Sequence, residues 1–324
     1  MKIGKVSENI IKRSVLKNIS KVSAEDYPDC ALFTGYVSYE GTGESGAHAL
    51  IKAANRAVQE GYRPIRAALS VTMPQRMKEK RLKEIIASAD REAVQRNIAI
   101  ISGHSESIPE LKYPIVTVVL WAVCAYENRT YKQNDGCVTN KRGLKMAVPG
   151  QTVIMTKWAG IYGSALLATE HAKGPDTKYP PFLTEEAREL WQFVSVEKEA
   201  AIAYEECASC MYACSDGGVY AGLWKLADRS GVGIEAELKA IPIRQETVEL
   251  CEYYDINPYR MNSDGSLLIA TDKPDELIGR LIDEEIPACV IGRVTEGIDR
   301  VIISGEEKRF LEEPTQDELC KVLW

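Results

Sequence analysis

A glycine-rich turn between a predicted strand and a predicted helix has the pattern of a binding site. The segment Gly41-Thr-Gly43-Glu-Ser-Gly46 matches Gly-x-Gly-x-x-Gly, in which glycines let the backbone approach a phosphate and the helix N-terminus supplies N–H donors. A dinucleotide site also requires an acidic residue at the end of the next strand, and the strand predicted over 65–73 ends without one. Three interpretations remain: an NAD site, a phosphate site of another kind, or a purely structural turn.

A second candidate is Gly-His-Ser-Glu at 103–106, which follows a short buried strand predicted over 97–102. Ligands in α/β proteins often bind where strands end. His104 titrates near neutral pH and is a candidate acid or base, and Glu106 is a candidate metal ligand. The alternative is a turn in which His and Ser cap backbone groups. The two remaining histidines, His48 and His171, lie on predicted helices and are interpreted as structural.

Three cysteines form a third cluster, Cys207-x-x-Cys210-x-x-x-Cys214. Thiolates at such spacing bind zinc or iron–sulfur clusters, but no fourth ligand is evident nearby. We therefore favour packing of small buried thiols over a metal or redox centre. Lys157 follows a predicted strand, where it either reaches a phosphate or is a solvated chain end.

Composition limits the class of protein. The chain has 324 residues and a formal net charge of −7, which favours two domains and gives no reason to expect nucleic acid or an anionic membrane as partner. Nine cysteines, an odd number, without a signal-peptide pattern suggest free thiols. The longest apolar stretch, 115–125, is too short to span a bilayer, and we expect a cytoplasmic protein.

The elements that position these residues alternate between strand and helix patterns. In the first half, a helix is predicted over 5–18, strands over 31–39, 65–73, 97–102 and 115–124, and helices over 47–60 and 78–95. In the second half, strands are predicted over 152–156, 266–270, 288–294 and 300–303, and helices from 163 to 171 and over 185–206, 218–230, 247–254 and 274–284. The polar segment 126–147 reads as a mobile loop between an N-terminal domain, 1–147, and a C-terminal domain, 148–324.

Several segments resemble, in order, the aminoimidazole-ribotide (AIR) synthetase-like superfamily, and most of all its hydrogenase-maturation branch, the HypE proteins. The resembling segments are Asn55-Arg-Ala-Val-Gln-Glu-Gly61-Tyr-Arg-Pro64, Ser102-Gly-His-Ser-Glu106, Pro149-Gly150 with Lys157, Gly217-Gly218 with its helix, and Pro287 to Glu296. The match extends over nearly the whole chain. It implies a two-domain mixed α+β fold in which N-terminal strands help build a homodimer barrel, and ATP with Mg²⁺ in the cleft between the domains.

The resemblance also implies site residues. It makes Glu106 and His104 catalytic, and it places a nucleotide or phosphate near Glu40, Gly41, Gly43, Asn55, Arg56, Gly103, Ser105, Asp216 and Gly217. Magnesium would bind Glu40, Glu106 and Asp216, since it prefers carboxylate oxygens. A partner maturation enzyme is a further implied interaction.

Several acidic positions of the family are replaced. The chain has Glu40, Arg56 and Ala213 where relatives carry aspartate, which should weaken a metal site, although Arg56 can contact phosphate directly. Cys320 is near the C-terminus but not terminal, unlike the reactive cysteine that ends HypE proteins. Two functions remain open: a HypE-like ATP-dependent enzyme that phosphorylates an amide or carboxyl oxygen, or a non-catalytic nucleotide sensor or scaffold with a degenerate metal site.

Overall fold

The computed structural model describes most of the chain. The described residues are 30–125, 146–170, 175–314 and 316–323. The helix predicted over 5–18, most of the predicted loop 126–147, and His171 lie outside them. The described residues form two β-sheets with helices packed against them, which confirms the predicted mixed α+β architecture. The domain boundary at 147/148 stays a prediction. No helix in the described part of the chain combines the length and apolar character needed to cross a membrane.

The first sheet has four strands in the order β1-β4-β2-β3. Its strands are β1 Cys30–Val37, β2 Tyr62–Pro74, β3 Ala99–Ile108 and β4 Ile115–Cys124. Apolar residues alternate along β2 and β4, so one face is buried. Helices α1 Ser45–Val58 and α2 Glu79–Gln95 pack on that face. Because β2 and β3 run parallel, α2 serves as the crossover helix that parallel strands require.

The prediction of a short buried strand followed by a turn at 103–106 is wrong. Strand β3 runs without interruption through Gly103 to Ile108 and is largely exposed. Among the described strands it is an edge strand that pairs with β2 alone, and this pairing keeps the polar residues extended. Gly103 lies so close to β2 that an added Cβ atom would be 2.4 Å from the Leu69 carbonyl oxygen.

The other face of the first sheet is not covered by any described helix. Leu32 on β1 lies opposite Trp121 on β4, and Leu32 is 61% exposed. Farther along the sheet, Ser70 on β2 lies opposite His104 and Thr72 lies opposite Glu106. We call this surface the open sheet face; it is apolar near Leu32 and polar near His104.

The second sheet has seven strands in the order β11-β10-β7-β9-β5-β8-β6. They are β5 Thr152–Thr156, β6 Cys210–Ala213, β7 Gly233–Glu237, β8 Leu267–Thr271, β9 Ala288–Thr295, β10 Arg300–Ser304 and β11 Glu307–Phe310. The strands predicted from the sequence pattern leave out β6, β7 and β11. Strand β6 has four residues, β7 has only two alternating apolar residues, Ile234 and Ala236, and β11 is a short, charged edge strand. Each is too short or too polar for a clear strand pattern.

Helices cover both faces of the second sheet. The helices of this half are α3 Ile161–Glu170, α4 Pro175–Lys178, α5 Pro181–Glu189, α6 Glu197–Glu205, α7 Gly218–Ser230, α8 Gln245–Tyr254, α9 Pro274–Asp283 and α10 Cys320–Leu323. Of these, α7 packs on one face of the sheet, and α6 and α9 pack on the other. The single helix predicted over 185–206 is wrong, since α5 ends in a 3-10 turn, Leu190–Phe193, and α6 begins at Glu197.

Two side chains from other parts of the chain hydrogen-bond to the backbone of residues 193–196, where helical structure is interrupted between α5 and α6. Asn55 on α1 donates to the Val194 carbonyl and accepts from the Val196 amide, at 2.8 and 3.0 Å. Lys157 donates to the carbonyls of Phe193 and Ser195, at 2.9 and 2.7 Å. Backbone groups that a continuous helix would pair internally are thus satisfied from outside. Lys157 is buried, so the solvated-end interpretation is wrong.

Candidate functional site

Five charged or titratable side chains meet where α1 packs against the second sheet. We call them the charged cluster: Glu40, His48, Lys52, Asp216 and Asp264. Glu40 follows β1, the two basic residues lie on α1, Asp216 lies between β6 and α7, and Asp264 precedes β8. Residues from both halves of the chain therefore contribute to one site.

Helix α1 presents His48 and Lys52 toward the same side. Residues four apart lie on one face of a helix, and these two are 0% and 1% exposed. The helix is buried along most of its length because the first sheet lies on one side and the second half of the chain on another. A fully buried lysine is rare without a charged partner, and the cluster provides such partners.

Lys52 bridges two aspartates. Its ammonium lies 2.7 and 2.8 Å from the two carboxylate oxygens of Asp216 and 3.9 Å from Asp264 Oδ2. Burial alone would lower the pKa of Lys52, but the two carboxylates outweigh burial and raise it above its ordinary value. The residue is therefore a permanent cation inside the protein.

His48 bridges Glu40 and Asp264. Its Nε2 lies 3.0 Å from Asp264 Oδ2 and its Nδ1 lies 3.3 Å from Glu40 Oε2. Burial lowers the pKa of His48, yet the hydrogen bonds to the two carboxylates raise it above its ordinary value. An imidazole between two carboxylates is favoured in its doubly protonated form, because both ring nitrogens can then donate. The ring also stacks on Tyr162, with centroids 3.5 Å apart.

The two aspartates are held ionised. Burial acts to raise the pKa of Asp264, but Lys52 and His48 lower it to about 2. Lys52 likewise lowers the pKa of Asp216 against the effect of burial. Tyr39 and Asn262 donate further hydrogen bonds to Asp216, at 3.1 and 3.0 Å. Asp216 keeps about a quarter of its side chain exposed, so the cluster opens to solvent at this residue.

The glycine-rich turn binds a carboxylate of the protein itself. The backbone amides of Gly41 and Thr42 both donate to Glu170 Oε1 at the end of α3, the second at 3.0 Å. Burial raises the pKa of Glu170 to about 7, although the two amides act to lower it. Thr42 Oγ1 donates to Glu40 at 2.5 Å, which links the turn to the charged cluster. The turn thus presents two backbone amides to a carboxyl group of the protein, and its phosphate interpretation stays a prediction.

Other predicted residues lie around the opening at Asp216. Gly217 has a φ of 82°, which favours glycine, and precedes α7. Its amide donates to Asp317 Oδ2 at 2.6 Å. Burial raises the pKa of Asp317 to about 7, and the nearby charge of Asp216 adds to this effect. Arg56 donates to the Thr34 carbonyl at 2.8 Å, and its positive charge acts on Asp216.

His104 and Glu106 lie elsewhere in the structure. Both are on β3 at the open sheet face, with 69% and 50% of the side chain exposed and 3.9 Å between His104 Nε2 and Glu106 Oε2. Thr72 donates to Glu106 at 3.3 Å. Strand β3 is at the opposite edge of the sheet from β1, about three strand spacings of ~4.8 Å away. The catalytic roles of His104 and Glu106 stay predictions, as do the nucleotide-binding roles of Gly103 and Ser105.

The three cysteines are not brought to one point. Cys207 is exposed, whereas Cys210 and Cys214 are buried. Burial raises the pKa of Cys210 and Cys214 above the ordinary thiol value, which disfavours the thiolate form that metals bind. Within the described ranges, no group of three or more His, Cys, Asp or Glu side chains has the arrangement to hold a metal ion. This placement agrees with the packing interpretation.

The carboxylates predicted to bind magnesium do not fit a metal. Magnesium requires free oxygen ligands at ~2.0–2.1 Å in near-octahedral geometry. Glu106 is on a different face of the molecule from the charged cluster. Glu40 already accepts from Thr42, His48 and Tyr162, and both oxygens of Asp216 bind the Lys52 ammonium.

Sequence analysis missed His48, Lys52 and Asp264 as members of the site. His48 was interpreted as structural, and Lys52 was not considered. The available signal was their i, i+4 spacing on a helix otherwise made of alanine and aliphatic residues, where two basic side chains on one buried face need carboxylate partners. The segment Asn262-Ser-Asp264-Gly gave no comparable indication, since it reads as an ordinary turn.

Comparison with known proteins identifies a domain in the second half of the chain. Residues 148–304 match the model of the C-terminal domain of AIR synthase related proteins. The chain thus contains an AIR synthase-related C-terminal domain. Carbamoyl dehydratase HypE of Rhodobacter capsulatus is 23% identical over 259 residues, which are 78% of this chain and 70% of that protein.

Two solved structures resemble this AIR synthase-related protein over nearly its whole length. One is a HypE–HypF complex, with a TM-score of 0.67, 18% identity, and coverage of 90% of this chain and 92% of the other. The second is HypE in complex with ATP, with a TM-score of 0.66, 15% identity, and coverage of 98% and 97%. At such identities the likeness establishes the fold and not the chemistry.

Proposed function

We propose that this protein binds ATP at the opening of the charged cluster and uses it, in a HypE-like reaction, to phosphorylate an amide or carboxyl oxygen. Phosphorylation turns that oxygen into a good leaving group. The observation that carries the proposal is the position of Asp216 at the junction of the two halves of the chain. Asp216 is partly exposed, feels the charge of Arg56 and accepts a hydrogen bond from Tyr39, which lies two residues before the glycine-rich turn. A relative named carbamoyl dehydratase and a similar fold with bound ATP support it.

The phosphates would be held by cations and backbone amides. Phosphoryl transfer depends mainly on positioning and on stabilising negative charge. Arg56 supplies a guanidinium at the opening, and Gly41 and Thr42 supply N–H donors. Glu170 occupies these donors in the absence of ligand and would have to leave, which its pKa of about 7 facilitates because the protonated carboxyl binds the amides less strongly.

A test measures ATP turnover in the presence of amide and carboxylate acceptors, including carbamoyl compounds. We expect acceptor-dependent release of ADP that Arg56→Ala lowers at least ~10-fold, because the variant loses a charge that contacts phosphate. Arg63→Ala, at an exposed position on β2, is the matched control and should behave as wild type. Equal turnover in both variants would remove Arg56 from the site. Absence of ATP binding would end the proposal.

We also propose a homodimer and a protein partner that supplies the acceptor. The open sheet face presents Leu32 and Trp121 without a described element over them, and burial of such a face against a second copy would remove apolar surface from water. A similar fold in complex with HypF supports the idea of a partner maturation protein.

A second candidate function is nucleotide sensing without catalysis. It is favoured by the internal neutralisation of the acidic cluster, which leaves no carboxylate set free for a catalytic metal. ATP binding without turnover across the acceptor series would favour this candidate, and acceptor-dependent ADP release would exclude it.

A further inference from the structure

The charged cluster is an acidic pocket that already contains its own cations. Three carboxylates, from Glu40, Asp216 and Asp264, face one ammonium and one imidazole. Four of the five side chains are at most 2% exposed, the exception being Asp216. Buried carboxylates in this number would repel one another unless cations were present.

The ammonium of Lys52 takes the central place among these groups. It contacts both oxygens of Asp216 and approaches Asp264 to 3.9 Å. Any divalent ion bridging the two aspartates would have to be at ~2 Å from their oxygens, which is within the space that the ammonium fills. Lysine and metal therefore exclude each other both sterically and through like charge.

The position of Lys52 in the fold also indicates a fixed role. It projects from the middle of α1, whose neighbouring residues are buried alanines and aliphatic residues, and its own side chain is only 1% exposed. A buried ammonium that lost its carboxylates would carry a large desolvation cost. The buried charge of Lys52 and the charges of the two aspartates therefore each require the other to remain ionised inside the protein.

We propose that Lys52 is a built-in cation that takes the place of a divalent metal between Asp216 and Asp264 and makes this pocket metal-independent. Removal of the ammonium leaves a set of close carboxylates with one positive charge fewer. Such a set has the hard oxygen donors that Mg²⁺ and Mn²⁺ prefer. Lys52 is in this sense the residue that decides which cation the pocket holds.

The test is a Mn²⁺ titration followed by electron paramagnetic resonance, in the absence of any nucleotide. Wild-type protein is expected to show no saturable Mn²⁺ binding up to about 1 mM. Lys52→Ala should gain one site that binds Mn²⁺ at least ~10-fold more tightly. Adding Asp264→Asn to Lys52→Ala should abolish that site. Lys157→Ala is the matched control, since it removes another buried lysine, paired with the single carboxylate of Glu199, and should gain no site.

Because removal of a buried charge can prevent folding, Lys52→Gln is a second variant, and thermal unfolding of both is measured with EDTA and with Mn²⁺. Metal-dependent recovery of folding would support the inference as directly as the titration. The inference is overturned if wild type binds Mn²⁺ tightly and Asp216→Asn abolishes the binding. It is also overturned if both Lys52 variants, folded or not, respond to Mn²⁺ no more than wild type. Since no nucleotide is present, these outcomes are separate from the failure of ATP binding.

Discussion

At the scale of single residues, the site is defined by how charge is compensated inside the protein. Lys52 and His48 hold Asp216 and Asp264 in their ionised forms, whereas Glu170 and Asp317 have too little compensation and keep raised pKa values. The site therefore contains both strongly paired charges and carboxyl groups that titrate near neutral pH. Because Glu170 and Asp317 titrate near neutral pH, they make the stability of the protein depend on pH in the neutral range.

We predict that the free energy of unfolding falls as pH rises from about 5 to about 8. Asp317 and Glu170 have folded-state pKa values of about 7, above their ordinary values of 3.8 and 4.5, so the folded protein binds more protons in this range and loses stability as they dissociate. The raised pKa of His48 acts in the same direction, since its contribution is lost as pH rises through the folded-state value. The lowered pKa of Asp264 acts with opposite sign, but only in acid, as pH falls toward about 2.

Urea denaturation at several pH values checks this prediction. Asp317→Asn and Glu170→Gln should each flatten the dependence, because the neutral amide has no proton to lose. Asp275→Asn, at an exposed position of α9, is the control and should keep the wild-type slope. Stability that rises over this pH range in the wild type would contradict the assignment of buried, weakly compensated carboxyl groups.

At the scale of elements, helix α1 connects the two halves of the chain. One face packs on the first sheet, His48 and Lys52 bind carboxylates of the second half, and Asn55 binds the break between α5 and α6. Through these contacts, α1 fixes the first sheet relative to the second half of the chain. Its residues matter for assembly of the site even where they do not contact a ligand.

We predict that Asn55→Ala lowers the free energy of unfolding by roughly 2 kcal/mol, since two buried backbone groups, at Val194 and Val196, lose their partner. The effect should be measurable by urea denaturation at neutral pH. Gln245→Ala, which removes an exposed amide paired with Glu249, should cost far less. If Asn55→Ala lowers the free energy of unfolding no more than Gln245→Ala does, then water replaces Asn55 at the break. The two hydrogen bonds of Asn55 would then not stabilise the protein.

The sequence predicts most elements of the fold because their periodicity is strong, as in α1, α2 and β4. It fails where long-range contacts decide the local structure. Gly103 to Glu106 have the composition of a turn but are held extended by pairing with β2. The break near Val194 depends on Asn55 and Lys157, which are distant in sequence and give no local signal.

The site was predictable only in part for the same reason. Glu40 and Asp216 were predicted from the family resemblance, and the structure places both in the charged cluster. The glycine-rich turn was predicted from its own pattern, and the ligand of all three stays a prediction. The pairing of Lys52 with Asp216 joins residues 164 positions apart, and no periodicity encodes such a contact. The resemblance predicted a metal where this chain carries an ammonium.

At the scale of the whole molecule, the two sheets differ in how they are covered. The second sheet has helices on both faces, whereas the open sheet face of the first has none among the described residues. A face of this kind is a surface on which the sheets of two copies of the chain can pack against each other.

We predict that Leu32→Glu converts a dimer to a monomer, because a charge would be buried at the centre of the contact. Light scattering coupled to size-exclusion chromatography measures the change in mass. Ile298→Glu, at a position that is 74% exposed in the second half of the chain, is the control and should leave the mass unchanged. A wild-type protein that is monomeric at all concentrations would contradict the proposed homodimer.

The function proposed for this protein depends on nucleotide binding in a cleft whose acidic residues are neutralised by the protein's own cations. Calorimetric titration of ATP into the wild-type protein, once with EDTA and once with excess Mg²⁺, tests it most directly. We predict that ATP binds in both conditions, with dissociation constants within about threefold of each other. The reason is that Lys52 and Arg56 already supply the positive charge that Mg²⁺ would otherwise bring. Binding that requires Mg²⁺, or no binding in either condition, would contradict it.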